Sequence, residues 1–237
     1  MRYLPVLLLL LACPAAAGWL TVTDTRELAL AGDGIDRLEI RSGHGFVVVR
    51  GDAERADIRV RADLSIPARG QDKASDIEAK YLELSLTESA GTATLVGLFR
   101  DYTVWRGDEP SVRLTVEVPK HMDVVIDDGT GYIEVSDLDG NLTIDDGSGS
   151  IDLDNIGGTV SIRDGSGWID VDRVAADVMI EDRSGAISVS RVGANVVIDD
   201  GSGWVNVRDV SGDLTLVDNA SGRFTFSGID GVIRDES

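Results

Sequence analysis

The sequence predicts an all-β fold: a right-handed parallel β-solenoid preceded by an irregular, partly antiparallel β region that caps it. Three observations point there. From about Met122 onward the residues recur every 18 positions, the recurring apolar residues stand in pairs two apart, and glycine sits at both turns of the repeat.

Aligned on the isoleucine before the first turn, the copies fall at Ile126, Ile144, Ile162, Ile180 and Ile198, then at Leu216. A unit reads V-x-I-D-D-G-S-G-x-I-x-V-x-x-V-x-G-x, and the last copy carries one extra residue before Ser221 and Gly222. In the second copy the apolar positions are Leu142, Ile144, Ile151, Leu153 and Ile156; in the fifth they are Val196, Ile198, Val205, Val207 and Val210. A spacing of two puts one strand face inward. One copy cannot bury such a face alone, but stacked copies turn each set of equivalent residues into a continuous ladder. About six rungs at ~4.8 Å would extend roughly 29 Å. The handedness follows from the rule for parallel crossovers.

The half before the repeats, residues 18–120, has no such period. Strand-like runs stand at "LEIRS", "GFVVVRG", "ADIRVRADLS", "YLELSLTE", "TATLVG" and "VRLTVEVP", most of them alternating apolar with polar. Between them "KASDIEAKYL" has room for one helical turn, and no long amphipathic helix is legible. This half is expected to cover the leading end of the solenoid, whose open edge would otherwise recruit other strands. The expected organisation is therefore a signal peptide over 1–17, an N-terminal β region over 18–120 and acidic solenoid repeats over 121–237, the last two forming one continuous domain.

"MRYLPVLLLLLACPAAA" opens the chain with one arginine, a short apolar run and small residues before Gly18, the pattern of an export signal cleaved after Ala17. An exported protein of the periplasm or cell surface follows. Cys13 is the only cysteine, so no internal disulfide can form. "LLAC" also resembles a lipobox, in which case Cys13 would carry lipid and tether the chain to the outer membrane.

The formal charge is −20, which excludes nucleic acid and a polybasic contact with anionic lipid. Residues 121–237 hold 24 Asp and Glu against 7 Arg, so 7 − 24 = −17 of that charge lies in the repeats.

The early "GFVVVRGD", the junction "VRLTVEVPKHMDVVIDDGTGYIEV" and the later SG-x-I-x-V copies resemble the bacterial toast-rack, adhesin-type β-strand repeat family, a domain of unknown function. The resemblance covers most of the mature chain. It implies an exported, non-enzymatic, solenoid-like envelope module, and it brings no catalytic residues with it.

Three readings compete for the D-D-G-S-G turns. Phosphate cradling would need a Lys-Ser/Thr ending and a helix, whereas these turns have acidic flanks and open a strand. Calcium-binding β-rolls also use 18 residues per turn, but their ligand position falls here on Ile151, Ile169, Ile187 or Val205, core residues by parity. Calcium held by close acidic ladders is the remaining form of that idea. The third reading is structural: Asp128, Asp146, Asp164, Asp182 and Asp200 share the parity of the buried residues and would cap the turn by accepting backbone N–H groups. The residue before each of them varies, and Arg163 at that position would relieve repulsion.

The residue after each S-G is Tyr132, Ser150, Trp168, Ala186 or Trp204, outward by parity. Rings on alternate rungs, ~9.6 Å apart, could stack on sugar faces beside the carboxylates and amides of the next outward column. They could equally cover the gaps left by Ser150 and Ala186, or pack under a loop of the first half. His44 and His121 lie far apart with no evident nucleophile or metal partner, and neither a zinc spacing nor a Ser/His/Asp order can be found. No enzyme, metal or cofactor is expected. The expected role is an adhesin-like envelope interaction or scaffold module with an envelope protein or glycan as partner; a carbohydrate-binding surface and a calcium-stabilised solenoid are the alternatives.

Overall fold

The structure, a computed structural model, describes residues 19–102, 109–219 and 222–236. The expected signal segment and Cys13 lie outside the described residues.

Parallel pairing at the 18-residue offset organises the repeats. β8 (Asp123–Leu138) and β9 (Leu142–Ile156) are each a whole rung, bent at the D-D-G-x-G segment. In the later rungs that corner separates two strands: β10 (Val160–Asp164) and β11 (Gly167–Val174), β12 (Val178–Asp182) and β13 (Gly185–Val192), β14 (Val196–Asp200) and β15 (Gly203–Val210), β16 (Leu214–Asn219) and β17 (Arg223–Ile229). β18 (Ile233–Asp235) begins a further rung on β16. Ile126, Ile144, Ile162, Ile180 and Ile198 pair in unbroken succession, as do Ile133, Ile151, Ile169, Ile187 and Val205. Every one of these side chains is buried, each burial being worth ~2 kcal/mol against exposure. The extra residue of the last copy falls as a register shift between Ile198 and Asp199.

The first half adds rungs to the same ladder. β2 (Arg37–Ser42) and β3 (His44–Asp52) pair parallel with the two halves of β8. β6 (Thr92–Phe99) and β7 (Ser111–Pro119) in turn pair parallel with β2 and β3. The spatial order β6–β7, β2–β3, β8 thus departs from chain order, and the inward ladder extends back through Ile40 to Leu95 and through Val47 to Leu114. Antiparallel strands close this end: β5 (Leu82–Ser89) on β6, β4 (Asp57–Ala68) on β7, and β1 (Leu20–Ala31) on β4.

Two elements differ from the sequence reading. α1 (Gln71–Tyr81) is an 11-residue helix where one turn is expected; its only buried residue, Ala74, packs with Ile66 and Ala68, and Ile77 and Phe99 flank them. β1 is not among the strand-like runs read from the sequence, and none of its residues is fully buried. Twelve residues of pairing with β4 hold it, and Val22, Leu28 and Leu30 pack half-buried against the core.

A second polar ladder runs along the corner before β9, β12, β14 and β16. Asp123 Oδ1 accepts from the Asn141 backbone N–H at 2.8 Å, and Asn141 Oδ1 accepts from the Thr159 N–H at 3.0 Å. Asp177, Asn195 and Asp213 repeat the arrangement, each accepting from the backbone N–H of the next rung at 2.9 Å. Each side chain thereby satisfies a donor that the corner leaves without a strand partner.

Candidate functional site

Two features rise above the regular solenoid: a buried column of aspartates at one corner and an exposed column of aromatic rings beyond it.

Asp128, Asp146, Asp164, Asp182 and Asp200 stack in register and are only 1–5 % exposed. Asp164, Asp182 and Asp200 each accept the backbone N–H of the serine two residues on, at 3.2, 3.1 and 3.1 Å. Asp128 accepts the Ser42 hydroxyl of the neighbouring rung at 2.6 Å. Asp146 differs: neither of its oxygens has a well-formed hydrogen bond, and only a looser approach of the Ser148 and Gly147 backbone N–H groups lowers it. The second oxygen of each of the other four is also buried without a partner. Burial pushes all five carboxyls up, Asp128 and Asp182 to about 6 and Asp146 to about 7, the last also through repulsion from Asp128 and Asp164.

Outside this column lies an open groove of about 750 Å³ rimmed by Asp145, Arg163, Glu181, Arg183 and Asp199. Arg163 pairs with Glu181 at 2.9 Å, relieving the like charge along that rim. Among the described residues no group of three or more His, Cys, Asp or Glu side chains could hold a metal ion. Melting curves with calcium and with a chelator test the calcium alternative: superimposed curves are expected where the aspartates only cap their turns, and a calcium-dependent rise of several degrees would assign the aspartate column to cation binding.

Tyr132, Ser150, Trp168, Ala186 and Trp204 pair rung to rung as one outward column. Trp168 is 49 % and Trp204 40 % exposed, far above what packing under another segment would leave. Tyr132 is half-buried. Its hydroxyl donates to Asp152 Oδ2 at 3.2 Å, and its pKa is raised by burial and by the nearby Asp152 and Glu134 carboxylates. Phe46, which pairs with Tyr132 in the β3–β8 ladder, extends the column by one rung. Its ring meets that of Tyr132 edge-on at 6.2 Å, while the Arg113 guanidinium covers it at 4.1 Å from the centroid. Beside the rings runs a polar column of Glu134, Asp152, Asp170, Ser188 and Asn206.

Phe46 escapes a sequence reading because its rung lies 86 residues from Tyr132, outside the 18-residue period. Distance in sequence also hides the partners of His44, whose Nδ1 lies 2.6 Å from Thr130 Oγ1 and whose Nε2 lies 2.9 Å from Glu109 Oε2. Hydroxyl, imidazole and carboxylate stand in line, and both ends of the His44–Glu109 pair are well exposed to water, where such a pair is worth little. His121 is exposed.

The fold and this face define an acidic parallel β-solenoid carrying an outward aromatic column. No protein-family model matches the sequence, and no curated protein does. Among solved structures the chain is similar to a provisionally named cell adhesion protein from Clostridium sporogenes, at 10 % identity and a TM-score of 0.42 over 90 % of this chain and 99 % of that one. A provisionally named adhesin from Bacteroides fragilis matches at 11 % identity and a TM-score of 0.42, over 90 % and 97 % of the two chains. Another from Parabacteroides merdae matches at 9 % identity and a TM-score of 0.28, over 90 % and 95 %.

Proposed function

We propose that the protein is an exported, non-catalytic, adhesin-like interaction module of the cell envelope whose contact surface is the aromatic column, and that its partner is a glycan. The observation that carries this reading is the placement of Trp168 and Trp204, about half exposed, on one sheet face with the small Ala186 on the rung between them. Large exposed rings are costly in water unless a partner covers them, and sugar rings offer an apolar face to stack on and hydroxyls for the flanking column. The chain's negative charge favours a neutral partner over an acidic one. Where Cys13 is lipidated, the module is held at the outer membrane; where the chain begins at Gly18, it is released.

A glycan array probed with wild type and with Trp168→Ala/Trp204→Ala tests the reading. Binding by the wild type and at least a tenfold loss in the double variant are expected. Absence of any bound glycan, or equal binding by the variant, would remove the glycan as partner.

A further inference from the structure

The glycan reading takes a specific form from the period of the column. From Tyr132 onward rings stand on every second rung, at Tyr132, Trp168 and Trp204, with Ser150 and Ala186 between them; Phe46, on the rung before Tyr132, lies outside this spacing. Rings thus recur at ~9.6 Å along the solenoid axis, and three of them span roughly 19 Å. From this repeat we propose that the column holds an extended, neutral β-1,4-linked glycan lying along the solenoid axis.

Equatorial β-1,4 linkages make a pyranose chain a flat two-fold ribbon. Successive sugars are turned over, so the same sugar face recurs only at every second residue, a distance close to two rungs of a parallel β-stack. Each ring of the column would then meet the same face of alternate sugars, while the sugars between pass over Ser150 and Ala186. The turned-over sugars direct hydroxyls sideways, toward the polar column. There the Asp170 carboxylate takes part in no hydrogen bond or ion pair among the described residues and is half-buried next to Trp168, and Ser188 and Asn206 continue the row toward Trp204. An α-1,4 or β-1,3 chain coils, and after one ring its next equivalent face leaves the line of the column.

Of the three alternate rings, that of Tyr132 is also the most firmly held. Tyr132 is braced by Phe46 on one side and by Asp152 at its hydroxyl, and Arg113 closes that end of the column over Phe46. Rings already fixed in place lose little freedom on binding, which favours a straight ligand over one that must adapt.

The inference rests on the glycan reading, and calorimetry separates the two. The probes are the β-1,4-linked hexasaccharides of glucose and N-acetylglucosamine, with β-1,3- and α-1,4-linked glucose hexasaccharides as isomers. Trp168→Ala/Ala186→Trp keeps the number of rings but moves one to the neighbouring rung; circular dichroism confirms its fold. At least tenfold tighter binding of a β-1,4 chain than of either isomer is expected, with at least a tenfold loss in the shifted variant. Equal affinity for the isomers, or full binding by the shifted variant, would overturn the axial two-rung match while leaving the glycan reading standing. No binding of any glycan would overturn both.

Discussion

Gly167→Ala is expected to destabilise the protein by ~4 kcal/mol, a large part of the stability of an ordinary domain. At φ 147° the backbone of Gly167 is in a region that side chains rarely adopt, and a Cβ there would run into the carbonyl oxygen of Gly149, one rung below, and lie 2.8 Å from its carbon. Gly131, Gly149, Gly185 and Gly203 sit in the same column with the same close approach to the preceding backbone. Glycine is therefore required at this corner twice over, by conformation and by the contact between stacked rungs. Because each rung touches only its neighbours, a fault at Gly167 interrupts the ladder in its middle, with nothing to redistribute it. Gly34→Ala is the control: φ is 75° but nothing lies within 4 Å of the added carbon, so only the conformational cost of ~1 kcal/mol remains. Urea titration of both variants checks the pair. Equal midpoints would mean that the rungs do not approach one another as closely at this corner.

The solenoid was legible because a stacked fold repeats its physics as well as its residues. Ile126 and its successors occupy one place relative to the core, and only an apolar side chain of similar size fits there. The N-terminal rungs obey the same physics without showing the period. Leu38 and Ile40 face the same interior as Val124 and Ile126, but the stretch from β4 to β7 separates them in sequence, so no spacing reveals the match. Phe46, Ser42 and His44 were out of reach for the same reason, each meeting its partner 86 residues away. The Asp123–Asn141–Thr159 ladder was within reach. A polar residue directly before the first strand of each copy recurs at the repeat interval, and its meaning is plain once a corner N–H is seen to need an acceptor. β1 was harder to read because its inward apolar residues, Val22, Leu28 and Leu30, are interrupted by Asp24 and Arg26 and stay only half-buried, so pairing with β4 carries much of its hold.

The aspartate column makes the second large prediction: the protein should be more stable at pH 5 than at pH 7.5, the reverse of ordinary acid denaturation. In the unfolded chain these carboxyls ionise near pH 4. In the folded chain burial holds them protonated longer, to about 6 at Asp128 and Asp182 and about 7 at Asp146. Between those limits the native state binds more protons than the unfolded state, so stability falls as pH rises and the full loss is reached just above pH 7. The groups facing the column do little to oppose this. Ser42 and the corner backbone N–H groups lower the carboxyls partly, and His44 acts on Asp128 alone. Asp127, Asp199 and Asp218 add repulsion, and Arg163 is engaged with Glu181. Carboxylates held low elsewhere titrate below this window: Asp172, partly buried but lowered by the Ser190 hydroxyl and by Arg191, loses its contribution only toward pH 4 and beneath. Asp146 is the decisive position, because both its oxygens are buried without a well-formed hydrogen bond, between two like groups. Asp146→Asn keeps the shape, removes the charge and is expected to stabilise the protein by ~3 kcal/mol at pH 7.5 and by little at pH 5. Urea midpoints at the two pH values, for wild type and variant, measure both effects. A wild type that loses stability on acidification, or a variant weaker than wild type at pH 7.5, would show that the column is ionised and held by partners that this packing does not provide.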